Sequence, residues 1–437
     1  MAKGTLKVIL YVFIVILPLI LVLIFGHSNQ NFLWNAGRGF ALMGITILAL
    51  QALLAGRFKW ITRTFGFDIV IRYHRNISIF AVFLLFFHPL LLMAGGAGWR
   101  LIWGGNLYIW LGKAALFLVL LNVLISAYQS KLNLKFEQWR VSHDVLSPLL
   151  IVLAFSHSWY VGSDLRLVPL KILWILLFSA AVWAFVYHRF IRPWLLARNP
   201  YEVTEVKEEA TKVWTVKLSP PKGKNIFDYF PGQFQFIKFL RGRGLPEEEH
   251  HWTISSSPSQ KKYLSSTIKA LGDFTSTMGE TQPGDKAVVH APFGRFSYLF
   301  HPEEKELVFI AGGIGITPLI SMLRYMKDQK EKRPVTLLYG NPNQDSIVFR
   351  EELGEIEKEG NPSLKVVHVL SNPQEDWTGE KGYIDSEKIK KYCGDDLSQK
   401  GFYVVGPPML IENSIQNLRD MGVKDKQIHM EIFSFLD

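Results

Sequence analysis

Up to about Pro193 the sequence is built from apolar runs close to the 20 residues that cross a bilayer as a helix. Six are legible, at about 8–26, 38–56, 74–95, 106–127, 143–162 and 169–190. No water bonds the backbone inside a bilayer, so only helices and closed barrels cross it, and runs of this length select helices. Arg192-Pro193-Trp194 is expected to end the sixth span, because proline cannot continue a helix. Beyond it the composition becomes that of a soluble protein, with Gly/Pro turns and mixed charge. The 437 residues suffice for two or three domains.

Charge gives the runs a direction. Lys3, Lys7, Arg57, Lys59, Arg63, Arg72, Arg75, Lys131, Lys135, Arg140, Arg189 and Arg192 all fall on one side if the N-terminus is inside. The opposite loops carry little beyond Arg38, Arg100 and Arg166. The positive-inside rule then places both termini and the soluble half of this multi-pass chain in the cytoplasm, and the plasma membrane is the expected location. This placement accounts for the net charge of +10 without nucleic acid, and no nucleic-acid motif is present. Lys3 and Lys7 precede an apolar run without an A-x-A site, so the first run is expected to remain as an uncleaved span. The single cysteine, Cys393, excludes an intramolecular disulfide and a cysteine-based metal site.

The third and fifth runs each carry two histidines, His74 with His88 and His143 with His157, separated by 14 positions in both. At about 1.5 Å and 100° per residue, 14 positions return to nearly the same face about 21 Å along the axis. Both runs cross in the same direction. His74 and His143 are therefore expected near the cytoplasmic face, and His88 and His157 towards the outer face. Ionisable residues inside a membrane are functional candidates by default. Bis-imidazole pairs at two depths are what two stacked haems need, so these four are the candidate metal ligands. Asp144 and Arg75 flank the inner pair as second-sphere groups or plain interface charges. Arg38, at the outer edge of the second run, is a candidate partner for a haem propionate or an anionic product, or an ordinary interfacial cation.

From about 200 to 300 the chain reads as short strands, such as the alternating Val213-Trp214-Thr215-Val216-Lys217-Leu218, and Phe234-Gln235-Phe236-Ile237-Lys238-Phe239 after the turn Pro231-Gly232. Close spacing suggests a small barrel. From about 305 strand and helix alternate. Strands are predicted at 306–311, 335–339, 364–370 and 401–405, and helices after Gly312-Gly313-Ile314-Gly315-Ile316-Thr317-Pro318 and over 410–421, after Gly406-Pro407-Pro408-Met409. That alternation predicts a doubly wound sheet. A glycine-rich turn between strand and helix admits a pyrophosphate to backbone N–H groups, and two such turns in one sheet predict a nucleotide crevice. His250-His251-Trp252-Thr253-Ile254-Ser255-Ser256 combines stacking surface with polar donors, although Trp252 also suits a core. Lys269 and Gly272-Asp273-Phe274-Thr275 suit a diphosphate, as a basic residue with a glycine-started helix.

With these residues in view, the chain resembles the NADPH oxidase and ferric reductase superfamily in its single-chain prokaryotic form, over nearly its whole length. The four histidines match the family's haem ligands in span and spacing. His250-His251-Trp252-Thr253 is similar to the flavin motif His-Pro-Phe-Thr, and Lys269 with Gly272-Asp273-Phe274-Thr275 to the FAD-phosphate segment. Pro292-Phe293-Gly294 resembles the turn closing the flavin domain, 312–318 the nicotinamide-nucleotide loop, and Gly406-Pro407-Pro408-Met409 the second such loop. Phe435 sits where the family's C-terminal aromatic lies against the flavin, with Phe433 as the alternative. Three departures stand out. His251 and Trp252 replace Pro and Phe, Val405 stands where many members have Cys, and Tyr339-Gly340-Asn341 lacks the Arg that often holds the 2′-phosphate, so NADPH and NADH both remain candidates.

The resemblance implies a six-helix membrane haem domain (1–195), a β-barrel FAD domain (196–302) and a doubly wound α/β NAD(P)H domain (303–437), the last two forming a ferredoxin-reductase-like module. It implies two b-type haems, FAD, and NADPH or NADH as cofactors. The implied cofactor contacts are His250, His251, Trp252, Thr253, Lys269, Gly272, Phe274, Thr275, Gly312, Gly313, Gly315, Ile316, Thr317, Pro318, Asn341, Gly406, Pro407, Met409 and Phe435. Thr253, Phe435 and Arg38 are the candidate catalytic residues. The expected activity is a superoxide-forming NAD(P)H oxidase with oxygen as acceptor. The alternative is a ferric reductase with Fe(III) as acceptor, and a membrane protein that only binds nucleotide is a further one. No EF-hand pattern and no long regulatory insert are present, so constitutive activity without an obligate protein partner is expected.

Overall fold

The structure, a computed structural model, describes residues 2–26 and 30–432. It divides into two compact units, Met1–Arg192 and Pro193–Asp437.

The first unit holds six helices long and apolar enough to cross a membrane: Gly4–Phe25, Phe32–Ala55, Phe67–Ala97, Leu107–Ala127, Phe136–Val161 and Val168–Ala197. They form a multi-pass membrane protein. Asparagines start two of them. Asn31 Oδ1 accepts the Trp34 N–H at 3.0 Å and Asn106 Oδ1 accepts the Ile109 N–H at 3.2 Å, satisfying donors that a helix start leaves open. The bundle interior is packed by Ile47, Leu48, Ala81, Leu84, Val119 and Leu150. Large apolar side chains such as Leu23, Phe83, Phe117 and Leu176 point outward, which suits lipid and not water.

Two sequence expectations need correction here. The third and fifth spans begin at Phe67 and Phe136, seven residues before His74 and His143, so the inner histidines lie about 10 Å inside their helices and not at the ends. The segments 67–73 and 136–142 carry charge, which masked them in the hydropathy pattern, yet Arg72 pairs with Asp68 at 2.8 Å one turn away. Pro193, moreover, does not end the sixth helix, which runs to Ala197. Tyr187–Ile191 forms a π-turn, and the Arg192 N–H bonds the Tyr187 carbonyl five residues back. The hydrogen-bond register resets at Arg192, so Pro193 falls in the first turn of the closing segment Arg192–Ala197, where its missing N–H costs little.

In the second unit, β1 (Tyr201–Ala210), β2 (Val213–Ser219), β3 (Phe234–Leu240), β4 (Glu249–Thr253), β5 (Leu264–Lys269) and β6 (Lys286–Phe293) form an antiparallel sheet in the order β4-β3-β6-β1-β2-β5. Just beyond β4, the Ser255 N–H donates to the Ser265 carbonyl of β5 at 2.8 Å, so the ends of the sheet curl together. Inside lie Leu218, Ile237, Phe239, Leu264 and Met278, the apolar half of the alternation read from the sequence.

The remaining strands are β7 (Glu306–Gly312), β8 (Pro334–Asn341), β9 (Ser363–Leu370), β10 (Glu380–Lys381), β11 (Lys400–Val405) and β12 (Ile428–Glu431). They make a fully parallel sheet in the order β10-β9-β8-β7-β11-β12. From β7 the chain winds first through β8 and β9 and then returns to β11 on the other side. The switch point therefore lies between β7 and β11, and in such sheets ligands bind outside the strand C-termini at that point. This is the ferredoxin-reductase-like fold. β12 and the helices Arg350–Glu359 and Ser386–Cys393, all short, were not read from the sequence.

Candidate functional site

Of the four membrane histidines, the inner two meet ring to ring, and His88 and His157 lie near enough to interact electrostatically. His74 and His143 face each other with ring centroids 6.3 Å apart. An imidazole bound at about 2.0 Å places its centroid about 3 Å from the metal, so two rings on opposite sides of one ion stand about 6 Å apart. The spacing fits a shared iron. The other pair lies about 21 Å further along the same two helices. Each of three rings has its Nδ1 at an acceptor. His88 meets the Gly37 carbonyl at 2.9 Å, His157 the Tyr108 carbonyl at 2.8 Å, and His143 the Asn122 Oδ1 at 3.2 Å. An acceptor there fixes the tautomer with Nδ1–H and leaves Nε2 free to ligate. The His74 Nδ1 is buried without a partner among the described residues. The fourth span makes room for the His157 ring with Gly112, where a Cβ would lie 2.5 Å from the ring Nδ1. These supports come from the second and fourth spans, too far along the chain to be read from sequence.

Arg38 is held within the protein. Its Nε donates to Asp164 Oδ2 at 3.0 Å, its Nη2 contacts the other carboxylate oxygen, and Nη1 reaches Asn35 Oδ1 at 3.2 Å. Asp164 is 8% exposed, and a buried carboxylate demands such a partner. Asp144, beside the inner pair, is paired with Arg189 at 3.2 Å.

In the soluble unit β4 carries the predicted flavin residues. His250 packs on Phe274 at 4.3 Å and Trp252 stacks on Phe274 at 5.8 Å, while the Thr253 carbonyl accepts from Ser266 Oγ at 2.9 Å. His251 lies on the other face against Phe234 and Phe236, both at 5.9 Å. The single strand thus splits the motif between two faces, with Trp252 touching Phe239 of the core. Lys269 ends β5. The expected glycine-started helix is a six-residue 3-10 turn, Thr275–Glu280, and Thr275 Oγ1 accepts the N–H groups of Leu271 and Gly272 at 2.9 Å each. The sequence reads Arg241–Glu249 as a solvated loop, but Arg241 is buried, drawn in by hydrogen bonds that brace this turn through the Thr277 carbonyl at 3.0 Å and Thr277 Oγ1 at 2.9 Å, its guanidinium 5.0 Å from the Phe274 ring.

The two glycine turns of the parallel sheet meet at its switch point. Gly312 Cα is 3.1 Å from the position of a Cβ at Gly406, and a Cβ at Gly315 would lie 2.5 Å from the Val405 carbonyl oxygen. Ile316, Thr317 and Pro318 open the helix Ile316–Asp328, with Thr317 Oγ1 bonded to the Ile314 carbonyl at 3.0 Å. Pro407 and Met409 open the facing helix Pro408–Asp420, and Met409 is 73% exposed at the rim. Asn341 closes β8 with both polar atoms of its side chain buried and without a hydrogen-bond partner among the described residues. Such groups are rare unless a ligand or water meets them, and the Tyr339 hydroxyl is the polar neighbour that acts on this one. Nearby, burial pushes the His368 imidazole down to about 4, with Arg350 adding to the effect, so the ring against Tyr339 is neutral. Phe435 and Phe433 lie outside the described residues.

The flavin strand and the nucleotide helix are bolted together. Arg324 Nη1 donates to the Ser255 carbonyl at 2.7 Å, Ser321 Oγ to the Ser256 carbonyl at 2.8 Å, and Arg324 grips Glu352 with two bonds of 2.7 and 2.6 Å. Removing one partner of such a pair is costly. Arg324→Ala is expected to destabilise the soluble unit by about 2–3 kcal/mol, read as flavin release at lower temperature. Arg324→Lys should recover only part, since it cannot reproduce the planar fork.

Family comparisons agree with this division. Residues 40–154 match the ferric reductase like transmembrane component, 201–283 an FAD-binding domain, and 309–415 an oxidoreductase NAD-binding domain. The chain has the architecture of the NADPH oxidase and ferric reductase superfamily. Outside that three-part superfamily arrangement, similarity is partial. The flavohemoprotein of Bacillus subtilis (strain 168) is 27% identical over 245 residues, 54% of this chain and 59% of that protein. The NADH-cytochrome b5 reductase 1 of Dictyostelium discoideum is 29% identical over 198 residues, 44% of this chain and 68% of its own. The chain thus spans less than two thirds of the length of the flavohemoprotein and about two thirds of the reductase. Among solved structures, the cytochrome b5 reductase domain of Ulva prolifera nitrate reductase aligns with 19% identity and a TM-score of 0.48, over 53% of this chain and 96% of that one.

Proposed function

We propose that the protein is an NAD(P)H oxidase of the plasma membrane that takes electrons from cytoplasmic NAD(P)H and delivers them to oxygen on the outer side, forming superoxide. The observation that carries this reading is the pair of histidine pairs at two depths, in a chain that also has flavin- and nucleotide-binding domains. FAD bound to such a chain would divide a hydride's electron pair into single electrons, and two b-type haems would carry them across. His74 with His143, and His88 with His157, would hold one haem each. The Gly37, Tyr108 and Asn122 oxygens keep three of those rings turned for ligation. Two imidazoles per iron leave no open position for oxygen, which favours superoxide over an inner-sphere product. The charge bias of the loops supports a cytoplasmic soluble unit. Arg38, tied to Asp164, is better suited to shaping the outer end than to binding product by itself.

The transmembrane match to ferric reductase like proteins favours a second reading, with Fe(III) as acceptor and the same route through the membrane. One assay separates them. Cytochrome c reduction driven by NADPH or NADH is expected to fall severalfold when superoxide dismutase is added. Insensitivity to dismutase together with turnover of an Fe(III) chelate would replace oxidase by metalloreductase. No activator protein should be needed in either assay.

A further inference from the structure

Away from both cofactor regions, three side chains converge where the turn before β7 meets the edge strand β12. The 3-10 turn Tyr298–Phe300 ends in His301, whose N–H bonds the Tyr298 carbonyl at 3.0 Å. The Glu304 N–H then returns to the His301 carbonyl at 3.2 Å, which sets those two side chains one turn apart. β12 pairs in parallel with β11 and places His429 opposite Tyr403. His429 Nε2 stands 2.6 Å from Glu304 Oε1, and the His301 and His429 rings are 3.8 Å apart. One ligand atom from each of His301, Glu304 and His429 lies within 4.8 Å of the other two.

We propose that His301, Glu304 and His429 form a binding site for a divalent transition-metal ion of the zinc class. Ligand atoms about 2.0–2.1 Å from one zinc lie about 3.3 Å from each other, so the cluster needs only small side-chain shifts to close on an ion. Two imidazoles with one carboxylate select zinc-like metals over calcium or magnesium, which prefer oxygen alone. Three protein ligands leave the fourth position of a tetrahedron to water.

The carboxylate is built into the fold. Glu304 is 5% exposed, and Gly401 makes space for it, since a Cβ there would overlap Glu304 Oε2. The Tyr403 hydroxyl donates to Glu304 Oε2 at 2.7 Å and so turns Oε1 towards the histidines. An oriented ligand with a hydrogen bond behind it is the usual outer sphere of a metal site. A plain His–Glu hydrogen bond accounts for Glu304 and His429, while the second imidazole has only a looser contact, His301 Nδ1 standing 3.6 Å from the exposed Glu303. The consequence of binding would be mechanical, because the ion would clamp β12 to the turn that leads into β7.

The test uses the full purified chain, stripped with a chelator and dialysed against buffered free Zn2+, with zinc counted by mass spectrometry. Iron from haem does not interfere with that count. The unmodified chain should hold one equivalent more than His301→Gln at micromolar free zinc, and Tyr403→Phe should bind about 10- to 100-fold more weakly. Equal zinc in the unmodified chain and His301→Gln overturns the site, as does the lack of any tightly held equivalent. Should His301→Gln not fold, zinc X-ray absorption of the unmodified chain at one equivalent decides. Two imidazoles with only nitrogen and oxygen neighbours support the site, and fewer than two overturn it.

Discussion

His157→Ala is expected to remove the low-spin b-type signal of one haem and to lower acceptor reduction by at least 100-fold, while anaerobic reduction of the flavin by NAD(P)H stays within twofold of the unmodified rate. The asymmetry follows from the construction of the chain. His157 belongs to the membrane unit and the flavin strand to the other, and the alanine leaves the hydrogen bonds of the flavin strand untouched. The loss is total because the ring has no substitute. It is held by the Tyr108 carbonyl at 2.8 Å and set against Gly112, where any added side chain would strike it, so no neighbouring group can take its place. An isolated imidazole in hydrocarbon is expensive to retain, and this chain retains four in two aligned pairs. An unaltered haem spectrum in the variant would end the ligand assignment. Gly112→Leu should give a weaker version of the same defect, since it displaces the ring without deleting it.

What could be read in the sequence was local. Histidines 14 positions apart on one helix, and glycines between a strand and a helix, carry their meaning within a short stretch; the inner histidine rings do face each other, and the two glycine turns do meet. What could not be read depends on distant partners. Arg38 looked open to a ligand because Asp164 lies 126 residues away, and the bond from Arg324 to the Ser255 carbonyl spans 69 residues. Pro193 misled for a different reason. The proline rule holds for an unbroken α-helix, whereas the π-turn Tyr187–Ile191 resets the hydrogen-bond register just before it. The early starts of the third and fifth helices were hidden because their first turns are charged, and hydropathy alone ends a span where the lipid ends and not where the helix does. The cluster of His301, Glu304 and His429 is invisible from spacing, since a parallel strand at the far end of the chain supplies its third member.

The nucleotide crevice offers the second large effect, through a single methyl group. Gly315→Ala places a Cβ 2.5 Å from the Val405 carbonyl oxygen, 2.8 Å from its carbon and 3.0 Å from Gly406 Cα. These are backbone atoms of the facing turn, so no side chain can swing aside, and the two turns must move apart. Overpacking of this kind costs about 1–3 kcal/mol, which an otherwise well-packed domain survives. Geometry suffers more than stability, because a displacement of about 1 Å between reacting groups lowers rates about 100-fold. Stopped-flow reduction of the flavin by NADPH or NADH should therefore slow by about two orders of magnitude, while the dithionite-reduced haem spectrum is unchanged. Gly313→Ala is the matched control. The same methyl there meets nothing within 4 Å, and its only penalty is the positive φ of 52°. That strain is worth about 1–2 kcal/mol and should leave flavin reduction within a few-fold of normal. If both alanines slow it equally, the effect comes from loop strain and not from the meeting of the two turns. A Gly315→Ala chain that reduces its flavin at the normal rate would mean that the nicotinamide binds elsewhere in the sheet.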